Sequence, residues 1–129
     1  MTTNTSAALT IDMERYRLRG FVDRLVDLGE VEIHDRPVPL AGLAAVIEGT
    51  RNAVLFKKAG PEQAEIVAKT AGSRRRLAAA FQTSEDRLYD EYFRRLANPQ
   101  AVLEVPSRDA PVHQVAITGE DVDLTRLPS

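Results

Sequence analysis

Ala53-Val54-Leu55-Phe56 is the stretch on which the fold turns. Four apolar residues in unbroken succession, without alternation, read as a strand covered on both faces. Such a strand needs packing elements on each side, and the flanking sequence supplies them. Upstream, Leu40 to Glu48 carries Leu40, Leu43, Ala44 and Ile47 on one side and ends at Gly49, which predicts a helix after the breaks at Pro37 and Pro39. Before it, Glu30-Val31-Glu32-Ile33-His34 alternates and predicts a half-buried strand. Further back, Leu18, Phe21, Val22, Leu25 and Leu28 recur at three- and four-residue spacing, predicting a helix from about Asp12 to Leu28. Arg19 and Asp23 are an i,i+4 pair on its polar side, and Gly29 follows its end.

Downstream, Gly60-Pro61 marks a turn, and Ala64 to Ala68 is a further short strand. Gly72-Ser73 opens a helix that runs through Leu77 to Phe81. The next helix is expected over Ser84 to Ala97, with Ser84 as N-cap, Glu85 and Asp86 in its first turn and Arg94 and Arg95 in its last. Leu88, Tyr89, Tyr92, Phe93 and Leu96 form its expected buried stripe, and Asn98-Pro99 stops it. Two more strands are expected, Val102 to Val105 and Val112 to Thr118, followed by a turn at Thr118-Gly119-Glu120-Asp121. The fold class is therefore α+β: one small domain, a mixed sheet of short strands packed by about four helices.

Composition narrows the function. The 129 residues are 43% hydrophobic but only 5% aromatic, so aliphatic side chains fill a single modest core. A net charge of −2 exerts no general pull on nucleic acid or anionic membrane. No cysteine is present, which excludes disulfides, thiolate metal sites and a thiol nucleophile, and fits a reducing, cytoplasmic setting. Neither a signal-type N-terminus nor a membrane-length apolar run occurs.

No familiar catalytic constellation is present: the chain has no GxGxxG, GxxxxGK[ST], HExxH or GxSxG. His34 and His113 each stand alone on an expected strand, and such residues are more often rim residues than ligands. Glu120, Asp121 and Asp123 supply too few oxygens for a hard cation. Helix capping and charge pairing account for Glu85, Asp86, Asp90 and Glu91. Arg74-Arg75-Arg76 stands apart, because three cations in the first turn of a helix oppose its dipole. Either the stems cover apolar surface with their heads in water, or the triplet is an interface toward another domain or subunit. A nucleic-acid footprint is disfavoured, because no aromatic residues are interleaved with it.

The order of these segments resembles the N-terminal domain of UbiD-like decarboxylases. Tyr16-Arg17-Leu18-Arg19-Gly20-Phe21 through Leu28-Gly29-Glu30-Val31 is similar to the family's opening helix and "GEL" strand. Ala53-Val54-Leu55-Phe56 is similar to its "PALLF" strand, and Gly72-Ser73-Arg74-Arg75-Arg76-Leu77-Ala78 to its "GSRERLA" helix start. Ala110-Pro111-Val112-His113-Gln114-Val115, then Thr118 to Leu124 and Leu127-Pro128, resembles its "PVxEVVxTGxDVDLxxLP" passage. The stretch from Lys57 to Ala71 departs from the family's usual "ENVKG…PVVGNLFG", which implies a divergent branch.

The resemblance implies a larger parent that performs reversible, non-oxidative decarboxylation of an aromatic or α,β-unsaturated acid. The cofactor it implies is prenylated FMN, held with a divalent metal (Mn) and K. It also implies a homo-oligomer and a downstream flavin-binding domain; the charge and the lack of a membrane-length run set the expectation of no nucleic acid and no membrane as partner. The family's catalytic, flavin and metal residues lie beyond the final passage, so none is assigned within this chain. The expected organisation is a tail at 1–12, an α+β domain at 13–118 and a linker at 119–129 leading to the flavin-binding domain. The chain then serves as scaffold and assembly domain. The alternative is a standalone non-catalytic interaction domain, or a small subunit of a carboxylase or decarboxylase.

Overall fold

The computed structural model describes residues 14–102 and 104–128. The tail expected at 1–12 lies outside these residues, and the first helix, expected from about Asp12, begins only at Leu18, after a 3-10 turn at Glu14–Tyr16. The chain forms α1 (Leu18–Asp27), β1 (Val31–His34), α2 (Leu43–Glu48), β2 (Ala53–Ala59), β3 (Ala64–Ala68), α3 (Arg74–Phe81) and α4 (Leu88–Leu96). The three strands make one mixed sheet in the order β1-β2-β3, with β1 parallel and β3 antiparallel to the central β2. The fold is thus α+β with a mixed sheet, as the pattern predicts.

β2 is covered on both faces. Ala53, Val54, Leu55 and Phe56 are all buried. Val54 and Phe56 pack with Leu43 of α2, and Val38, Leu40, Val46, Ile47 and Ile66 close around them. Because side chains alternate along a strand, Leu55 turns to the other face, where Leu18 and Val22 of α1 and Val67 of β3 surround it. The register shifts between Phe56 and Ala59, and this bulge lets Ala59 rejoin the core on the Phe56 side while Lys57 and Lys58 stay exposed. Strict alternation would have ended the strand at Phe56; the bulge carries it on to Ala59.

α1 ends in a Schellman motif: the amide of Glu30 donates to the Leu25 carbonyl (2.9 Å) and that of Gly29 to Val26 (2.9 Å). Gly29 has φ +71°, a left-handed conformation that costs a residue with a Cβ about 1 kcal/mol. Val22 and Leu25 are the fully buried part of the α1 stripe, while Leu18 and Leu28 remain exposed. Arg19 reaches across to Glu65 on β3 (2.6 Å) instead of pairing with Asp23, and Lys57 joins it there (3.2 Å). These two cations, Lys57 foremost, hold the Glu65 carboxyl below the usual carboxylate range.

Three other expectations need correction. The helix expected from Ser84 begins at Leu88; Ser84 to Arg87 form a turn, in which the Arg87 amide donates to the Ser84 carbonyl (3.1 Å). The acids in the first helical turn are accordingly Asp90 and Glu91. The expected buried stripe of α4 is buried only at Leu88, with Tyr89, Tyr92, Phe93 and Leu96 exposed. The strands expected at Val102–Val105 and Val112–Thr118 do not form among the described residues; position 103 lies outside them. Short 3-10 turns occupy Ser107–Asp109, Pro111–His113, Gly119–Asp121 and Leu124–Arg126 instead. A strand needs a partner ladder, and among the described residues this segment pairs with no edge of the sheet.

Candidate interface around the Arg74–Arg76 helix start

Ser73 begins α3 as its N-cap, its hydroxyl accepting from the Arg76 amide (3.1 Å). The next three residues point in three directions, as a 100° turn per residue requires. Arg74 donates twice to the Glu85 carbonyl, from Nε at 3.1 Å and Nη2 at 2.8 Å, and lies over the Tyr89 ring. Arg75 reaches Glu30 (3.3 Å) and the Leu28 carbonyl (3.3 Å) at the end of α1. Arg76 turns inward and is 1% exposed.

The Arg76 guanidinium donates to the Glu30 carboxylate (3.0 Å) and to the Arg51 carbonyl (3.0 Å) in the loop before β2. Glu30 thereby supplies negative charge beside the α3 N-terminus, which offsets the unfavourable placement of the arginines in its dipole. A Cβ at position 72 would come within 2.9 Å of Arg76 Nη2 and 3.2 Å of the Lys69 carbonyl, so glycine is what lets the guanidinium pass. A parallel device lies nearby: Lys69 Nζ donates to the carbonyls of Ile47 (3.0 Å) and Thr50, capping the end of α2.

The triplet therefore does two jobs. Arg76 is a buried staple inside the domain, not a solvated head over apolar surface. Arg74 and Arg75 remain at the surface, each anchored by backbone carbonyls. Sequence reasoning singled out the three residues but missed Glu30, Arg51 and Glu85, which receive them. The only sequence signal for Glu30 is its place just after the α1 stop.

Beside Arg74 the surface is apolar. A concavity of about 440 Å³ between α3 and α4 is lined by Arg74, Leu77, Phe81, Leu88, Tyr89 and Tyr92. Arg95 lies 4.9 Å from the Phe81 ring centre and donates to the Phe81 carbonyl (2.6 Å). Glu91 accepts from both Arg94 and Arg95 at 2.7 Å, and these bonds, Arg94 foremost, pull its carboxyl down to about 2.

The other singled-out residues are dispersed. His34 lies on β1, 2.8 Å from Glu32 and 5.5 Å from the Phe56 ring centre. That hydrogen bond, with help from Thr50, keeps the Glu32 carboxyl below its ordinary range. His113 sits exposed in a 3-10 turn instead of on a strand. Asp123 accepts from the Thr125 amide (3.0 Å) and hydroxyl (2.6 Å), closing a local turn, and its carboxyl is lowered by those bonds. Among the described residues no three His, Cys, Asp or Glu side chains converge as a metal-binding group, and no helix is long and apolar enough to cross a membrane.

A mixed three-stranded sheet, with one helix on each face and a helical pair stapled to one corner by arginine, defines a small α+β domain. The family model of the 3-octaprenyl-4-hydroxybenzoate carboxy-lyase N-terminal domain matches residues 22–96, more than half of the chain, and the chain belongs to that family. The match spans the Gly29-Glu30-Val31, Ala53–Phe56 and Gly72–Ala78 segments, whereas the Ala110–Pro128 passage lies beyond it. No curated protein matches the chain significantly.

Proposed function

We propose that this chain is the scaffold and assembly domain of a carboxy-lyase that decarboxylates an aromatic or α,β-unsaturated acid reversibly and without net oxidation. Such a reaction exchanges the carboxylate for a proton and releases CO2. The family match over residues 22–96 carries this reading. The catalytic work belongs to a flavin-binding domain of the same parent, toward which residues 119–129 act as linker, in a cytoplasmic homo-oligomer.

Prenylated FMN, with its divalent metal and K, would supply the electron sink for that chemistry. The residues described do not fit it. Its phosphate and metal need convergent donors, while Arg75 and Arg76 are committed to Glu30 and backbone carbonyls and Arg74 is anchored on the Glu85 carbonyl. No step is therefore assigned to a residue of this chain. Its contribution is positional: Arg74, Arg75 and the apolar residues of 102–127 offer surface to the catalytic domain.

The test is the intact mass of the product of the native gene, together with assays for CO2 release from aromatic and α,β-unsaturated acids. A product that carries or copurifies with a flavin-binding segment, and is active, supports the reading. A product with neither would sink it and favour a standalone interaction domain.

A further inference from the structure

β3 is an edge strand without the usual guards. One side of it pairs with β2, and among the described residues its other side pairs with nothing. Ala64-Glu65-Ile66-Val67-Ala68 holds no proline and no lysine, and its single charge, Glu65, is matched by Arg19 (2.6 Å) and Lys57 (3.2 Å). A bare edge of this kind recruits another strand unless something covers it. The two faces beside the edge also differ. On one, Ile66 packs with the α2 core. On the other, α1 and the sheet flank an open groove of about 680 Å³, whose apolar lining is Leu18, Val22, Leu55 and Val67. Leu18 is 56% exposed there.

A strand that fits this place is apolar on the groove side, polar on the other, and within reach. The chain just before Glu14 meets each condition. Leu9-Thr10-Ile11-Asp12-Met13 alternates strictly, with Leu9, Ile11 and Met13 falling on one side and Thr10 and Asp12 on the other. It is five residues long, as β3 is. The 13 residues before Glu14 can extend over roughly 40 Å, well beyond the ~17 Å of such a strand. Glu14 opens the turn into α1, and the start of α1 stands at the Glu65 end of β3, where Arg19 meets Glu65. A strand delivering the chain to that end runs antiparallel to β3. So short a tether holds the segment at an effective concentration on the order of millimolar, an advantage that no separate partner shares.

We propose that Leu9–Met13 joins the sheet as a fourth strand, antiparallel to β3, with Leu9, Ile11 and Met13 closing the groove over Leu55 and Val67. A slip of one residue would turn Thr10 and Asp12 into the groove, so Leu9 or Ile11 stands opposite Val67. The N-terminal segment thereby seals the sheet edge against other chains, whatever catalytic partner the domain serves.

Amide hydrogen exchange of the full chain, set beside a variant lacking residues 2–12, tests this. The β3 amides that point away from β2 should exchange about tenfold faster or more in the shortened variant, with the amides of α3 and α4 as internal reference. Ile11→Asp in the full chain should reproduce the loss, and Asp12→Asn, on the polar side, should leave protection unchanged. Circular dichroism checks that each variant folds. Because the chain has no cysteine, paired thiols report the facing directly. Val67→Cys combined with either Leu9→Cys or Ile11→Cys should close a disulfide within one molecule on mild oxidation, whereas Val67→Cys with Thr10→Cys should not. β3 exchange that is indifferent to the deletion overturns the proposal. So does a disulfide closed as readily from Thr10→Cys, which would put the polar side in the groove. A disulfide that forms only between two molecules overturns it as well, since the edge is then covered by another copy.

Discussion

Residues 18–96 and residues 99–128 draw on the same aliphatic side chains and put them to opposite use. Leu25, Val54 and Phe56 are wholly buried, while Val102, Val112, Val115 and Leu124 are 91%, 80%, 77% and 72% exposed. Backbone partners separate the two regions, not hydrophobicity. In the first, β2 finds a ladder on each side and a helix over each face. In the second, four of the chain's seven prolines interrupt the amide sequence, and the bonds that form stay within 3-10 turns. Among the described residues one side-chain tie, Arg126 to Glu62, reaches back to the β2–β3 hairpin. Apolar alternation thus licenses a strand only where an edge is waiting for it.

The comparison breaks most visibly at Phe56. Phe56→Ala should cost about 3–5 kcal/mol in denaturant unfolding, because the ring sits in a closed core between α2 and β3. Ile117→Ala should move stability by no more than about 0.5 kcal/mol, since that side chain is 63% exposed. Equal losses would mean that the second region packs as firmly as the first.

A smaller effect is expected at the corner. Arg76→Ala removes the buried partner of Glu30 and strands the Arg51 carbonyl, at a cost of about 2–3 kcal/mol in the same measurement, Arg75 still serving Glu30. Arg76→Lys should recover little, because one ammonium cannot span both acceptors in the fork geometry of a guanidinium.

The smallest is electrostatic. The Glu91 carboxyl, held at about 2 against an ordinary 4.5, favours the folded state when ionised. Its contribution is complete above pH 4.5 and is lost as the pH falls from there through about 2. The melting temperature should fall across that window, and Glu91→Gln should flatten the part of the slope that Glu91 supplies.

How much of this was written in the sequence depends on the range of the interactions. Ala53–Phe56 announced a strand covered on both faces, and Gly29 announced the end of α1, because strand burial and helix capping are local patterns. Leu88–Leu96 announced a helix but not its start: Ser84 has the chemistry of an N-cap, yet the turn through Arg87 and the grip of Arg74 on the Glu85 carbonyl hold that segment outside the helix. Its aromatic stripe was expected to be buried, since periodicity reports that a face is apolar and not what covers it. The arginine triplet was visible as an anomaly against the helix dipole. Its resolution lies in Glu30 and Arg51, 46 and 25 residues away, which no local rule reaches.

The guanidinium of Arg76 gathers the end of α1, the loop before β2 and the start of α3 at one point. A chain with only two of these in place would hold a desolvated cation short of an acceptor, a state more costly than leaving the arginine in water. The staple therefore acts as an assembly check: it penalises half-built corners and rewards only the finished one. Unfolding of this domain should accordingly be all-or-none, with the helical pair and the sheet lost in a single transition.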